Sequence, residues 1–426
     1  MLLTRTTKKI DYKSAAIAKY AFVSYFAFML FFSTGTPFTD RISEIDELTT
    51  SSTVNQIFIS VVLLISSIVL ISRKEGLFNL LKEERFLFLF LIWCLISIMW
   101  SDYRFVSFKR YIKIITSVSV CLAFLLYYNS GNELLKVLKT VLFIYVTFSL
   151  LAIIFIPGAI DSESMAWRGF TTQKNQLGQA SLVSAVIWFA SMGSKSNGFK
   201  QKLFHLFMIL LSVILVLGSK SMTSSMVMTL IAISWIVINI DKRLKTIGIG
   251  RLFSFMAIFA LIAIMGTVIY LGPGVISSTL EIFGKDLSFT GRTFLWNYIF
   301  EQAKKHLLLG CGFEGFWVVD SSNANLMTLY ETFYTLVSQA HMGYLDLLNE
   351  TGIIGIILLF LMIIVYYKNS LKLKKGLFWK WILLMVLVMN ITESSLFRSN
   401  SLLGLMFIFS YLILYVELLN KENAVL

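Results

Sequence analysis

Long apolar runs, separated by short polar and lysine-rich intervals, make up most of this 426-residue chain. About twelve runs of roughly 16–22 residues come near the length a helix needs to cross some 30 Å of hydrocarbon. They fall at residues 14–32, 53–72, 84–100, 112–128, 141–157, 176–192, 203–218, 224–240, 252–271, 352–367, 377–392 and 401–418. This pattern predicts an all-α polytopic membrane protein, with residues 1–426 as one integral membrane domain. One interval breaks the rhythm. Residues 272–351, between the ninth and tenth runs, are too many for a plain connector. Phe294, Leu295, Tyr298, Ile299 and Gln302 are spaced for one amphipathic helix ending in Lys304 and Lys305. A turn at Gly310, Gly312 and Gly315 follows. A second amphipathic helix is predicted from near His341 to Gly352, where a span takes over. The first apolar run has no small-residue cleavage site after it and reads as a retained span.

Composition supports the membrane reading. The chain is 57% hydrophobic and only 14% charged, against about 25% charged in soluble domains. Its mean hydropathy is +0.78. A net charge of +13 argues for anionic lipid rather than nucleic acid, because no basic soluble region exists to carry the latter. With the N-terminus inside, the inner loops are basic. Arg5, Lys8, Lys9 and Lys13 precede the first span; Lys242, Arg243, Lys245 and Arg251 follow the eighth; Lys368, Lys372, Lys374 and Lys375 follow the tenth. That asymmetry orients the chain. Cys94, Cys121 and Cys311 show no metal or disulfide spacing.

The cations left on the outer side run against the topology rule, so another reason for them is expected. They are Arg41, Arg104, Lys109, Arg110, Lys113, Arg168, Lys174, Lys220, Lys285, Arg292, Lys304, Lys305 and Arg398, and several are expected to share one pocket. The segment Trp167-Arg-Gly-Phe-Thr-Thr-Gln-Lys-Asn-Gln-Leu-Gly178 places Arg168, Lys174 and Asn175 at the mouth of a following helix. That pattern suits a phosphate, and in so apolar a chain a lipid phosphate. The plainer reading is an interfacial loop with snorkelling cations. Gly291-Arg292-Thr293-Phe294-Leu295-Trp296 opens the first outer helix, where Arg292 can reach a phosphate and Trp296 suits the membrane interface.

Gln339-Ala340-His341-Met342-Gly343-Tyr344-Leu345-Asp346 places His341 on the outer side near a predicted helix start. A helix N-terminus favours neutral imidazole, which can accept a proton. A hydrogen-bonded structural histidine is the alternative. Lys220 lies in a polar turn with Thr223 and lacks the spacing of a nucleotide-phosphate loop. Glu393 and Arg398 sit at the outer end of the eleventh run, either as a functional acid at the hydrocarbon edge or as a structural Glu393–Arg398 pair. Arg104, Lys109 and Arg110 either bind headgroups or join the other outer cations around a phosphate. No Asp-x-Asp motif, histidine–cysteine cluster or nucleophile elbow is present.

Taken in order, Arg168-Gly-Phe-Thr-Thr-Gln-Lys174-Asn175-Gln-Leu-Gly178, Gly291-Arg292-Thr-Phe-Leu-Trp296, Gly310-Cys-Gly312 with Phe316, His341-Met-Gly-Tyr344-Leu345 and Glu350-Thr-Gly352 resemble the O-antigen ligase and Wzy-polymerase superfamily. The first motif is most similar to the exopolysaccharide-polymerase branch. The resemblance implies a GT-C-like membrane glycosyltransferase with about twelve spans. It implies a glycan donor on a polyprenyl pyrophosphate, a glycan or lipid acceptor and no cofactor or metal. Arg168, Arg292 and His341 correspond to the family's loop arginines and histidine; Lys174, Asn175, Lys220 and Arg110 are expected around the pyrophosphate, with Tyr344, Glu393 and Arg398 in support. The family commonly has asparagine after that histidine, where Met342 stands here. The expected setting is the bacterial cytoplasmic membrane, with the site facing outward and a chain-length regulator protein as a partner.

Three functions follow. The first is a polymerase joining lipid-linked repeats. The second is a ligase moving a finished glycan to lipid A-core or another acceptor. The third, of a different class, is a flippase or transporter of an anionic lipid-linked solute. The last predicts cations inside the spans and inverted repeats; here the cations crowd one face.

Overall fold

The computed structural model describes residues 12–32, 53–128, 131–162, 164–193, 198–244, 292–318, 323–333, 337–373 and 376–423. Among them the chain forms fourteen α-helices and no strand. These are α1 (Tyr12–Phe31), α2 (Thr53–Ser72), α3 (Lys74–Glu83), α4 (Phe86–Ser97), α5 (Arg104–Tyr127), α6 (Gly131–Phe155), α7 (Lys174–Met192), α8 (Phe199–Gly218), α9 (Met222–Leu244), α10 (Arg292–Lys305), α11 (Ala324–Phe333), α12 (Gly343–Lys372), α13 (Gly376–Thr392) and α14 (Leu402–Asn423). The protein is an all-α polytopic membrane protein. Eleven of the predicted runs coincide with α1, α2, α4 to α9 and α12 to α14. The ninth, 252–271, lies outside the described residues, as do Arg5, Lys8, Lys9, Arg41, Lys245, Arg251, Lys285, Gly291, Lys374, Lys375 and the first part of the 272–351 insertion.

Among the described residues, seven helices are long and apolar enough to cross a bilayer: α1, α2, α5, α6, α8, α12 and α14. Three further apolar stretches are shorter: Phe86–Trp100, Met222–Ile236 within α9, and α13. Their packing is graded. On α2, Val54, Ile57, Val61, Leu64, Ile68 and Ile71 recur every three or four residues and are all exposed. Such a stripe suits lipid tails. By contrast, α14 is almost wholly enclosed and packs on α5, α12 and α13. The helix α12 is a second hub, touching α4, α10, α13 and α14. Between apolar helices in lipid, close van der Waals fit replaces the hydrophobic drive. At Gly178 on α7, an added Cβ would come within 2.8 Å of Ser221 Cβ and Ser224 Oγ. Only glycine lets the start of α7 lie against the start of α9.

Successive spans gather their ends as alternating orientation requires. At one end, Trp93 Nε1 donates to the Thr351 carbonyl (2.9 Å) and Trp100 Nε1 to that of Gly310 (3.0 Å). There too the Trp167 amide donates to the Gly218 carbonyl at 2.9 Å. At the other end, Arg73 lies over the Tyr127 ring at 4.5 Å and the Gly131 amide donates to Glu417 Oε1 at 3.1 Å.

The two predicted insertion helices are present. Residues Arg292–Lys305 form α10, whose Leu295, Trp296, Ile299, Phe300 and Ala303 are buried while Phe294 is exposed. Trp296 was expected at the membrane interface; it is instead buried, with Nε1 donating to the Ala340 carbonyl at 2.8 Å. An indole this deep needs an acceptor, and that carbonyl supplies it. The second insertion helix and the tenth span join as α12, and the junction is a kink at Gly352 (φ 67°, ψ −169°). A side chain there would strike the Leu308 carbonyl. The kink frees carbonyls, and each finds a donor. Asn349 accepts from the Cys311 amide (2.9 Å), Glu350 from the Gly312 amide (3.0 Å) and Thr351 from Trp93. The glycine turn is thereby fastened to the kink.

Candidate active site

Four side chains from separate parts of the chain converge at the end that holds the insertion. Glu393, just past the C-terminus of α13, is the centre. Its Oε1 accepts from Asn175 Nδ2 on α7 at 2.6 Å and lies 3.9 Å from Arg292 Nη2 at the start of α10. Its Oε2 lies 3.4 Å from His341 Nδ1. Arg292 Nη1 also donates to the Thr392 carbonyl at 3.1 Å, and the Thr392 hydroxyl meets Thr223 of α9 at 2.6 Å. Burial lowers the pKa of Arg292 and Glu393 opposes that shift. His341 is the most open member, with 30% of its side chain exposed against 9% for Glu393.

The chemistry follows from donor and acceptor roles. An ionised carboxylate only accepts. The tautomer with its hydrogen on Nδ1 would suit an ionised Glu393 and leave the Nε2 lone pair open to a proton. Gln339 Nε2 stands 3.4 Å from the same ring nitrogen. The backbone of His341 is left-handed (φ 51°), a conformation few non-glycine residues adopt without surrounding support.

A second polar cluster adjoins the first and is buried. Arg398, in the turn before α14, meets Asp346 Oδ2 and Glu350 Oε1 at 3.0 Å each, and Glu314 Oε1 at 3.7 Å. The Glu314 amide donates to Glu350 Oε2 at 3.2 Å, and the Ser399 amide to Glu314 Oε1 at 2.9 Å. Arg110 of α5 donates to the carbonyls of Glu314 (2.6 Å) and Trp317 (2.8 Å). Burial works against the charge of Arg398, but Glu350, Asp346 and Glu314 together more than reverse this and raise its pKa. The structural Glu393–Arg398 pair is thus corrected: each partner belongs to a different cluster.

The predicted site residues accordingly divide. His341, Arg292, Asn175 and Glu393 come together. Lys174 is half-buried at the first position of α7, beside Asn175. Arg168 is buried in the loop before α7, where Nη2 donates to the Gly158 carbonyl at 3.1 Å and Nη1 approaches that of Thr172 at 3.5 Å. Lys220 Nζ donates to the Ser164 carbonyl at 2.8 Å. Arg110 and Arg398 hold the buried cluster. Tyr344 is buried, its hydroxyl donating to the Leu387 carbonyl of α13 at 2.8 Å. Of the other outer cations, Lys113 reaches Asn400 Oδ1 (3.2 Å), Lys109 covers the Phe105 ring (4.5 Å), and Lys304 and Lys305 pair along α10 with Glu301 and Gln302. Sequence reasoning gave no role to Glu314, and none to Asp346 or Glu350 beyond their motifs. Their signal was three acids set among apolar positions, two of them one helical turn apart.

Residues 206–360 match a protein family described as O-antigen ligase. The matched stretch contains Arg292, the glycine turn, His341 and the kink; Asn175, Glu393 and Arg398 lie outside it. The exopolysaccharide production protein ExoQ of Rhizobium meliloti (strain 1021) is 34% identical over 170 residues, which are 38% of this chain. The chain spans 37% of that relative's length. These similarities bear out the superfamily read from the motifs.

Proposed function

We propose, from the premise that residues 206–360 carry the O-antigen ligase family's region, that this protein is a membrane glycosyltransferase. It moves glycan from a polyprenyl-pyrophosphate donor to an acceptor hydroxyl on the outer side of the bacterial cytoplasmic membrane. The reading is supported above all by the meeting of His341, Glu393, Arg292 and Asn175 at one end of the bundle. The acceptor oxygen attacks the anomeric carbon and its proton passes to His341 Nε2. As the new C–O bond forms, the bond to the phosphate oxygen breaks, and pyrophosphate leaves with the electron pair. Displacement from the opposite face inverts the anomeric centre.

Charge grows on the departing phosphate, so cations fixed near it lower the barrier. Arg292 is the first of these, with Lys174 at the start of α7; Arg168, bound to the carbonyls of Gly158 and Thr172, braces the loop that leads to it. The similarity to an exopolysaccharide production protein favours growth of a surface polysaccharide, hence a polymerase.

The test is purified protein in nanodiscs supplied with lipid-linked repeat units. The wild type yields a ladder of lengthening products on a gel. His341→Ala slows turnover about 10²- to 10⁴-fold, the range for loss of a general base, without loss of folded protein. Unchanged chain growth by this variant would remove the assignment. A single transfer to a foreign acceptor, with no ladder, would make the enzyme a ligase.

A further inference from the structure

The proposed active site stands on the carboxylate of Asp346. This group is buried, one turn into α12, and does not join the His341–Glu393 cluster directly. It collects donors from the two segments that carry His341 and Glu393 and from the glycine-turn loop. Trp317 Nε1 reaches Oδ1 at 2.7 Å, fixing the end of the glycine-turn loop. The Ala340 amide lies 3.1 Å from Oδ2 and 3.3 Å from Oδ1. The Ser394 hydroxyl donates to Oδ2, and Arg398 pairs with the same oxygen. Ala340 immediately precedes His341, and Ser394 immediately follows Glu393.

Ala340 is held on both sides, its amide by Asp346 and its carbonyl by Trp296. A residue so fixed leaves the following backbone little choice, and the following backbone is the left-handed His341. In the segment after α13, Ser394 ties the residue after Glu393 to the same carboxylate. The interval between His341 Nδ1 and Glu393 Oε2, 3.4 Å, is thus set by a group that touches neither.

We propose that Asp346 is a positioning residue that sets the register of the His341–Glu393 pair, with Arg398 as its ion-pair partner. The inference rests on the reading of His341 and Glu393 as the reacting pair. Misplacing a catalytic group by about 1 Å can cost on the order of 100-fold in rate.

The experiment compares Asp346→Asn, Ser394→Ala, Glu393→Gln, the Asp346→Asn/Glu393→Gln double variant and His341→Ala in the nanodisc assay, with thermal melts of each. Asp346→Asn is expected to lower kcat about 10- to 100-fold, with KM for the lipid-linked donor within a few-fold of wild type. The double variant should lose no more than the worse single one, because both act on one geometry. Ser394→Ala keeps every charge and removes one donor; it should lower kcat a few-fold with an unchanged melt. If His341→Ala is slow while folded Asp346→Asn and Ser394→Ala both turn over like wild type, the positioning role is overturned and the base assignment survives. If Asp346→Asn and Glu393→Gln losses multiply, Asp346 acts on something else and the proposal falls. If Asp346→Asn does not fold, the kcat of Ser394→Ala alone decides. Wild-type turnover by His341→Ala would overturn the underlying reading instead.

Discussion

Two arginine–carboxylate clusters lie side by side at the same end of this bundle, and they are built to opposite rules. Around Arg398, three carboxylates face one guanidinium, backbone amides fill most remaining acceptor positions, and the acid side chains are no more than 3% exposed. Around Glu393, the contacts are longer. Arg292 stands 3.9 Å away, His341 stands 3.4 Å away and is 30% exposed, and only Asn175 binds closely. A closed ionic cluster resists change, because any loss leaves a charge stranded in low dielectric. The open one is joined by fewer and longer contacts, so losing one member strands less charge. The contrast separates support from chemistry more sharply than residue type does, since each cluster holds an arginine and at least one acid.

The largest expected effect is on the closed cluster. Arg398→Leu leaves Asp346, Glu350 and Glu314 without their shared cation. Removing one partner of a buried pair costs about 3–5 kcal/mol. Little folded protein should survive detergent extraction, as read by size-exclusion profile and thermal melt. Neutralising the acids as well, with Asp346→Asn and Glu350→Gln, should recover part of the lost stability. A melt like that of the wild type for Arg398→Leu alone would show that the cluster does not hold the fold.

In the open cluster the effect moves from stability to rate. Arg292→Ala removes a largely buried cation that contacts the Thr392 carbonyl and Glu393. Loss of one such electrostatic donor typically lowers turnover about 10²- to 10³-fold. The melt should shift little beside that of Arg398→Leu. Were the two arginines to trade phenotypes, the division between support and chemistry would be reversed.

How far the sequence foretold this depends on the range of the interaction. The spans were legible because apolar length is a local property. So was the break at Gly352, where an amphipathic pattern gives way to a continuous apolar one. The helix of Arg292–Lys305 was legible from its spacing, but its buried face was read one position off: Phe294 is exposed and Trp296 is buried. Pairing was harder. Glu393 and Arg398 are neighbours in sequence and looked like a pair, yet the turn between them sends one to His341 and the other to Asp346. One local clue was available. Asp346 and Glu350 are a helical turn apart, and like charges at that spacing repel unless a cation stands between them. Arg398 is that cation. Its identity required the tertiary fold.

The smallest expected effect comes from Lys220, and it tests whether every outer cation serves the pyrophosphate. The residue sits in the turn between α8 and α9 with φ 50°, its ammonium exposed and donating to the Ser164 carbonyl. An exposed ammonium is well solvated, and removing it usually changes stability by no more than about 0.5 kcal/mol. Lys220→Gln removes the charge and leaves a polar side chain one atom shorter. Turnover and melt should both stay within about twofold and half a kilocalorie of wild type. A loss near that of Arg292→Ala would mean that Lys220 leaves Ser164 when the donor binds, and that the open cluster extends across the α8–α9 turn during the reaction.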